Sequence, residues 1–221
     1  MYFGKEFSES NQLKGFIGME YIENPIVKHN YVNVAPKSLY PVLKAIATIQ
    51  ARSLDLSEND VASISGYSFH TIIKGLYTNE GVLALFNGIR KINKEVLGEK
   101  CDELLKHGTC LFDLDLSLNL NQLVGIEQSV MVHGDLWGTN IIWKKVNNEY
   151  LVNKIIDYQF IHMENPAEDF VRLILSTLSG RDFNSQWESL LEKFYEYFLE
   201  ALEHHRVPPY TLVQLKENDI I

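Results

Sequence analysis

Cysteine is scarce in this sequence: two residues in 221, Cys101 and Cys110. Two cannot build a disulfide framework, and neither sits in the C-x-x-C spacing of a zinc or redox site. Free thiols in a reducing compartment follow. Long apolar runs are missing as well, since none reaches the ~18 residues that a membrane-spanning helix needs. The opening MYFGKEFSES lacks the charged-then-apolar order of a signal peptide. Positive charge is in deficit, with 20 Lys and Arg against 29 Asp and Glu and a net charge of -9. Without a basic run, nucleic acid and anionic membranes are poor partners. An anionic ligand would need local help, such as a bound metal ion. These absences point to a soluble, intracellular, cytoplasmic protein. What remains is 46% hydrophobic, an ordinary globular composition with length enough for one large domain or two small ones.

Along the chain the apolar spacing changes character. KGFIGMEYIE, Lys14 to Glu23, reads as a buried strand leading to a connector at Asn24-Pro25. Leu39, Val42, Leu43, Ile46, Ile49 and Leu54 recur at helical spacing, with Pro36 and Pro41 early enough to be tolerated. Ser63 to Tyr67 reads as a connector. Thr78 to Lys94 and Lys94 to Leu118 each read as a helix, the second weakened by Gly98 and Gly108. Then SVMVHGD, NIIWKKV and EYLVNKIIDYQ read as three short strands, the last two joined at Asn147-Asn148. Pro166 opens a helix that ends at Gly180, Gln186 to His204 forms a long amphipathic helix, Pro208-Pro209 stops it, and YTLVQLKEN forms a last short one. The aromatic stripe of FYEYFLEALEH reads as core packing. The fold class is α+β, mostly helical, with a small β insert at residues 129–158.

The chemistry concentrates in that insert. Asp135 and Asn140 share one loop, and Asp157 ends a neighbouring strand. If the strands pair, two carboxylates and an amide oxygen converge. Such hard oxygen donors suit Mg²⁺, which completes its octahedron with phosphate and water. Asp-x₄-Asn followed 17 residues later by a strand-end Asp is also the order of kinase catalytic and metal loops. In that template Asp135 is the base, and Asn140 and Asp157 hold metal. Taken singly, each residue is equally a turn or cap residue; the signal lies in the combination.

MVHGDLWGTNIIW, NKIIDYQFIHMENPAEDFVRLILSTLSG and KGFIGMEYIE resemble the choline-kinase-like (CHK) group, within the aminoglycoside phosphotransferase and choline kinase superfamily. The closest likeness is to the nematode expansion of these kinase-like proteins, with insect ecdysteroid kinases more distant. The resemblance covers nearly the whole chain. It implies a bilobal protein-kinase-like fold, with residues 1–23 a remnant of the small-lobe sheet and hinge and residues 24–221 the helical large lobe. It implies ATP and Mg²⁺ as cofactors and a small-molecule hydroxyl acceptor, an amino-alcohol or a sterol-like molecule. By the same likeness Met19, Glu20, Tyr21 and Ile22 form the adenine-binding connector. Met19 would back the pocket, and the Glu20 carbonyl and Ile22 amide would read the base edge. His133 is expected as a buried, hydrogen-bonded support of the loop. Asp169 is expected to bond the loop backbone, with Arg172 three residues on pairing with it. Trp137 either shapes the acceptor pocket or packs beneath the loop. Glu164, Glu168 and Asp169 form an acidic neighbourhood, read as a solvated face.

One half of a kinase is not legible. No G-x-G-x-x-G occurs, and the only lysines before Met19, Lys5 and Lys14, lack a fitting context. MYFGKEF resembles the strand just before the connector pair. The chain therefore reads as a truncated active enzyme of weak activity, as a degraded kinase, or as a non-catalytic pseudokinase that binds a ligand or partner. Residues 14–22 are expected to leave a strand edge unpaired. The absence of an APE-like segment after Asp157 argues against protein substrates. The acceptor and the oligomeric state stay open.

Overall fold

The computed structural model describes residues 3–5, 10, 16–30, 32–64, 78–107, 116, 119–202 and 207–218. A 3-10 turn at Pro36–Leu39 runs straight into helix α1, Tyr40–Ser53, so both prolines occupy first-turn positions where no N–H is needed. Val42, Leu43, Ile46, Ala47 and Ala51 recur on one face of α1 and are buried. That face packs on α7, Gly180–Ala201, through Leu190, Leu191, Phe194 and Phe198. Helix α6, Glu168–Thr177, adds Phe170, Leu173 and Ile174, and α8, Leu212–Asn218, closes the cluster with Leu215. The rest of the core comes from the strand region: Val130, Val132, Leu136, Ile141 and Trp143. The loop that carries Asp135 is therefore fastened at both flanks into the main core.

Among the described residues, three antiparallel sheets accompany the helices. Strand β1, Phe3–Lys5, pairs with β2, Phe16–Gly18. Strands β3, Ile26–Val27, β5, Ile141–Val146, and β6, Glu149–Ile155, form a sheet in the order β3-β5-β6. Strand β4, Val130–Val132, pairs with β7, His162–Glu164. The β5–β6 turn places Asn147 and Asn148 at φ 48° and 68°. Two consecutive left-handed residues make the tight hairpin turn that matches strand twist, and asparagine tolerates that region best after glycine.

The mixed α+β architecture, mostly helical with a small β insert, is as the sequence predicts, and the departures are local. The three strands of the insert do not share one sheet, because β4 takes β7 as its partner. The stretch from Lys14 to Glu23 is not one buried strand: β2 covers only Phe16–Gly18, and Met19 and Tyr21 are 73% and 84% exposed. Ser63 and Ile64 end a helix, α2, Glu58–Ile64, rather than opening a connector, and the remainder of that segment to Tyr67 lies outside the described residues. Helices α3, Asn79–Ile92, and α4, Lys94–Lys106, form a hairpin around Val82, Phe86 and Cys101; Thr78 and Asn93 cap them at the amides of Gly81 and Val96. The expected continuation towards Leu118 falls largely outside the described residues, as do Cys110 and Gly108. Helix α5, Leu120–Leu123, precedes the insert. Gly180 opens α7 instead of ending α6, because the Ser179 hydroxyl accepts from the Asp182 amide and starts a new helix there. No helix among the described residues is long and apolar enough to cross a membrane.

One buried polar network ties three elements together behind the site. Gln50 of α1 donates to the Pro166 carbonyl at 2.9 Å and accepts from the Tyr210 hydroxyl at 2.8 Å. Tyr210 in turn stacks on Phe198 at 4.5 Å. Tyr210→Phe keeps the ring but leaves the buried Gln50 oxygen without its donor. Urea unfolding is expected to register a loss of about 1–3 kcal/mol, against a larger loss of about 3–5 kcal/mol for Phe198→Ala.

Candidate active site

Strand β4 delivers the chain into His133-Gly134-Asp135, and α6 holds that turn from below. Asp169, buried, accepts the His133 amide at Oδ2 (2.7 Å) and the Gly134 amide at Oδ1 (3.0 Å). Gly134 has φ +78°, and a Cβ there would collide with the Phe160 carbonyl oxygen and the His162 ring. Only glycine fits both the left-handed backbone and the close approach. The Gly138 amide donates to Ser176 Oγ at 3.1 Å, so α6 grips the far side of the loop as well.

His133 carries a definite tautomer. The Asp135 amide donates to its Nδ1 at 3.3 Å, so that nitrogen is an acceptor; Nε2, 2.9 Å from the Ile156 carbonyl, must bear the hydrogen. Burial pushes the imidazole below its ordinary pKa, which agrees with a neutral ring spanning two backbones. His133 is thus buried and hydrogen-bonded at both ring nitrogens.

Asp135 and Asn140, both buried, are locked to each other. The Asn140 amide nitrogen faces the Asp135 carbonyl at 2.8 Å and Asp135 Oδ2 at 3.2 Å. Two acceptors on that side require the nitrogen there, which turns the Asn140 side-chain oxygen away from them. Arg172 corrects one expectation: its Nη1 lies 2.7 Å from Asp135 Oδ1, so it pairs with the loop carboxylate rather than with its helix neighbour Asp169. Asp169 spends its carboxylate on the two loop amides instead. Trp137 is 37% exposed beside this pair.

Asp157 arrives from the other side. The Ile156 amide donates to the Asn140 carbonyl at 3.0 Å, and the Ile156 carbonyl accepts from His133, so the residue just before Asp157 is bonded to both parts of the loop. Both Asp135 and Asp157 are near enough to act electrostatically on His133. Asp157 itself adopts φ 68°, ψ 57°, a left-handed conformation costly for a non-glycine residue, and its side chain is exposed. No group of three His, Cys, Asp or Glu side chains gathers to hold an ion among the described residues. The available donors are one exposed carboxylate and one amide oxygen, a sparse oxygen set of the kind that Mg²⁺ supplements with phosphate and water.

Of Met19, Glu20, Tyr21 and Ile22, Glu20 is tied by its side chain to the β3-β5-β6 sheet. Glu20 Oε2 is 3.1 Å from Lys154 Nζ. Lys154 pairs with Ile142 and Ile142 pairs with Val27, so all three emerge on one face of β3-β5-β6. Met19 is neither buried nor core. It is 73% exposed.

His162, which the sequence reading passed over, and the acidic residues around it complete the neighbourhood. His162 donates Nδ1–H to the Phe160 carbonyl at 2.7 Å and sets Nε2 3.4 Å from Glu168 Oε2. Burial works against its charge, yet the Glu168 carboxylate prevails and its pKa stands above the ordinary imidazole value. Burial and the Glu168 charge push Glu164 up too. Glu164, Glu168 and Asp169 are thus no solvated face. The signal in the sequence is His162 itself, an ionisable ring that opens β7 in the middle of an otherwise apolar stretch two residues after Phe160.

Burial raises the Asp169 carboxyl from 3.8 to about 7, although the two amides it accepts pull it down. Because the folded-state value exceeds the unfolded one, the folded chain binds the extra proton between them. That contribution to stability is complete below about pH 4 and is lost as pH rises through about 7. Asn at this position cannot ionise. The stability advantage of the wild type over Asp169→Asn is therefore expected to shrink between about pH 5 and about pH 8, as read from thermal melts across that range; a gap that widens contradicts the assignment.

Comparison with known proteins adds one finding. The model of the DUF1679 family, described as "Uncharacterized oxidoreductase dhs-27", matches residues 1–218. No curated protein matches the chain. A match over nearly the full length, spanning the connector, the Asp135 loop, Asp157 and α6 together, makes this chain a member of the DUF1679 family.

Proposed function

We propose that the chain is a kinase-like phosphotransferase of the choline-kinase-like type, acting in the cytoplasm with ATP and Mg²⁺ on the hydroxyl of a small molecule. The observation that carries this reading is the arrangement around Asp135. A buried carboxylate is held by Arg172 and Asn140 at the end of a core strand, with Asp157 led to it through Ile156. In this reaction Asp135 accepts the proton of the acceptor hydroxyl as that oxygen bonds to the γ-phosphorus. The bond from phosphorus to the β-phosphate oxygen breaks, and ADP leaves. Asn140, through its side-chain oxygen, and Asp157 would hold Mg²⁺. When bound, the ion offsets charge on the phosphates. The face bearing Val27, Ile142 and Lys154 would receive the adenine with Met19 behind it, and the backbone of Glu20 and Ile22 would read its edge.

The family description carries the word oxidoreductase, and a nicotinamide enzyme is one reading of it. A dinucleotide reader uses a glycine-rich turn between a parallel strand and a helix, whereas the sheets described here are antiparallel and the sequence holds no G-x-G-x-x-G. The phosphotransferase reading accounts for more of the buried polar residues. A non-catalytic nucleotide-binding module would use the same face and the same oxygens without turnover.

Asp135→Asn is expected to keep Mg²⁺-ATP affinity by calorimetry while cutting phosphate transfer to hydroxyl acceptors by about 10²–10⁴-fold. Equal turnover in both proteins removes the base assignment. Nucleotide binding with no turnover in the wild type favours the binding module.

A further inference from the structure

The Asp135 carboxylate stands in a difficult position. A divalent cation bound by Asn140 and Asp157 would lie close to it, and an anionic oxygen beside such an ion tends to become one of its ligands. A carboxylate coordinated in that way has lost the lone pair that should receive a proton. The observed contacts oppose this. Arg172 Nη1 occupies Oδ1 at 2.7 Å, and the Asn140 amide nitrogen occupies Oδ2 at 3.2 Å. The Arg172–Asp135 pair is largely shielded, with the two side chains 25% and 11% exposed, so screening by salt is weak there. The Asn140 amide is used from both ends: its nitrogen fixes Asp135, and its oxygen is left for an ion.

We propose that Arg172 is a positioning residue that keeps Asp135 out of the metal's coordination shell. The cation of α6 competes with the divalent ion for this carboxylate and so divides the oxygens of the site. Those of Asn140 and Asp157 serve the metal, and those of Asp135 serve the acceptor. Nothing in the chain's sequence spacing points to this, because the obvious partner of Arg172 is Asp169, three residues earlier on the same helix. The inference rests on the phosphotransferase reading.

Arg172→Gln removes the competing charge while keeping a donor of similar reach. The freed carboxylate is expected to join the ion, so Mn²⁺ affinity, read from the electron paramagnetic resonance signal of free Mn²⁺ in the presence of ATP, should tighten about threefold or more. Turnover of ATP should fall roughly 10- to 100-fold. Adding Asp135→Asn to Arg172→Gln should abolish the gain in Mn²⁺ affinity, since the added ligand is gone. A role in folding alone would leave Mn²⁺ affinity unchanged or weaken it, and either result overturns the proposal. Arg172→Lys, which retains charge without the planar fork, should hold Mn²⁺ like the wild type and keep part of the turnover. Should Arg172→Gln fail to fold, Asp135→Asn alone carries the test: Mn²⁺ affinity equal to that of the wild type supports the proposal, and weakened affinity, which makes Asp135 a ligand already, overturns it. Absence of Mn²⁺ binding in the wild type overturns the phosphotransferase reading and this assignment together. Wild-type binding that Arg172→Gln leaves unaltered overturns this assignment alone.

Discussion

The turn at His133-Gly134 depends on one buried carboxylate. Asp169 gives each of its oxygens to a successive backbone amide, and those amides point inward because Gly134 is left-handed. Removing either half leaves a buried polar group unsatisfied, which costs about 1–3 kcal/mol. The arrangement draws further support from its place on α6. Asp169 lies in the first turn of that helix, where the macrodipole favours negative charge. Arg172, three residues on, projects from the same face and reaches the side chain of the turn that Asp169 holds by its backbone. A single helix therefore fixes both the path of the loop and the orientation of its carboxylate.

The remaining contacts transmit that fixity outward. Neutral His133 spans from the Asp135 amide to the Ile156 carbonyl, and the Ile156 amide returns to the Asn140 carbonyl. Two segments of distant sequence are thereby joined by backbone bonds and one ring, with no ion pair between them. Such links are insensitive to salt. Asp157 follows immediately in a left-handed conformation that its surroundings must hold in place. Gln50, bonded to both the Pro166 carbonyl and Tyr210, keeps the start of α6 in register with α1.

Much of this was legible in the sequence, for identifiable reasons. The β5–β6 hairpin announced itself by consecutive asparagines between Val- and Ile-rich runs. Helix α1 followed from periodic apolar residues and two prolines whose missing N–H groups are harmless in a first turn. Asp135, Asn140 and Asp157 drew notice by their positions at the ends of apolar runs, and the fold brings Asp135 and Asn140 into contact. What failed to show were pairings across long separations. Nothing in local pattern says that β4 pairs with β7 or that Arg172 passes over Asp169 to reach Asp135. The helical i, i+3 rule describes what two exposed side chains do when nothing else competes. Here the backbone amides had already claimed Asp169. The acidic group at Glu164, Glu168 and Asp169 was misread for a similar reason: charge density in sequence suggests solvent, and only the packing of β7 under the loop reveals burial.

The proposed site combines a rigid half with an open one. Asp135, Asn140, His133 and Asp169 are all buried, whereas Met19 and Tyr21 stand in solvent and Val27 is half-exposed. In the proposed reaction that contrast has a physical use. Apolar surface gains about 25 cal/mol per Å² when covered, so a flat base laid on this face would draw its affinity from side chains that contribute nothing to the core. The buried carboxylates, by contrast, gain nothing from ligand contact area. Their arrangement is set by the fold before any ligand arrives, which is what transition-state stabilisation by fixed dipoles and charges requires. Changes on the exposed face should therefore alter affinity with little effect on the chemistry, and changes at Asp135 should do the reverse.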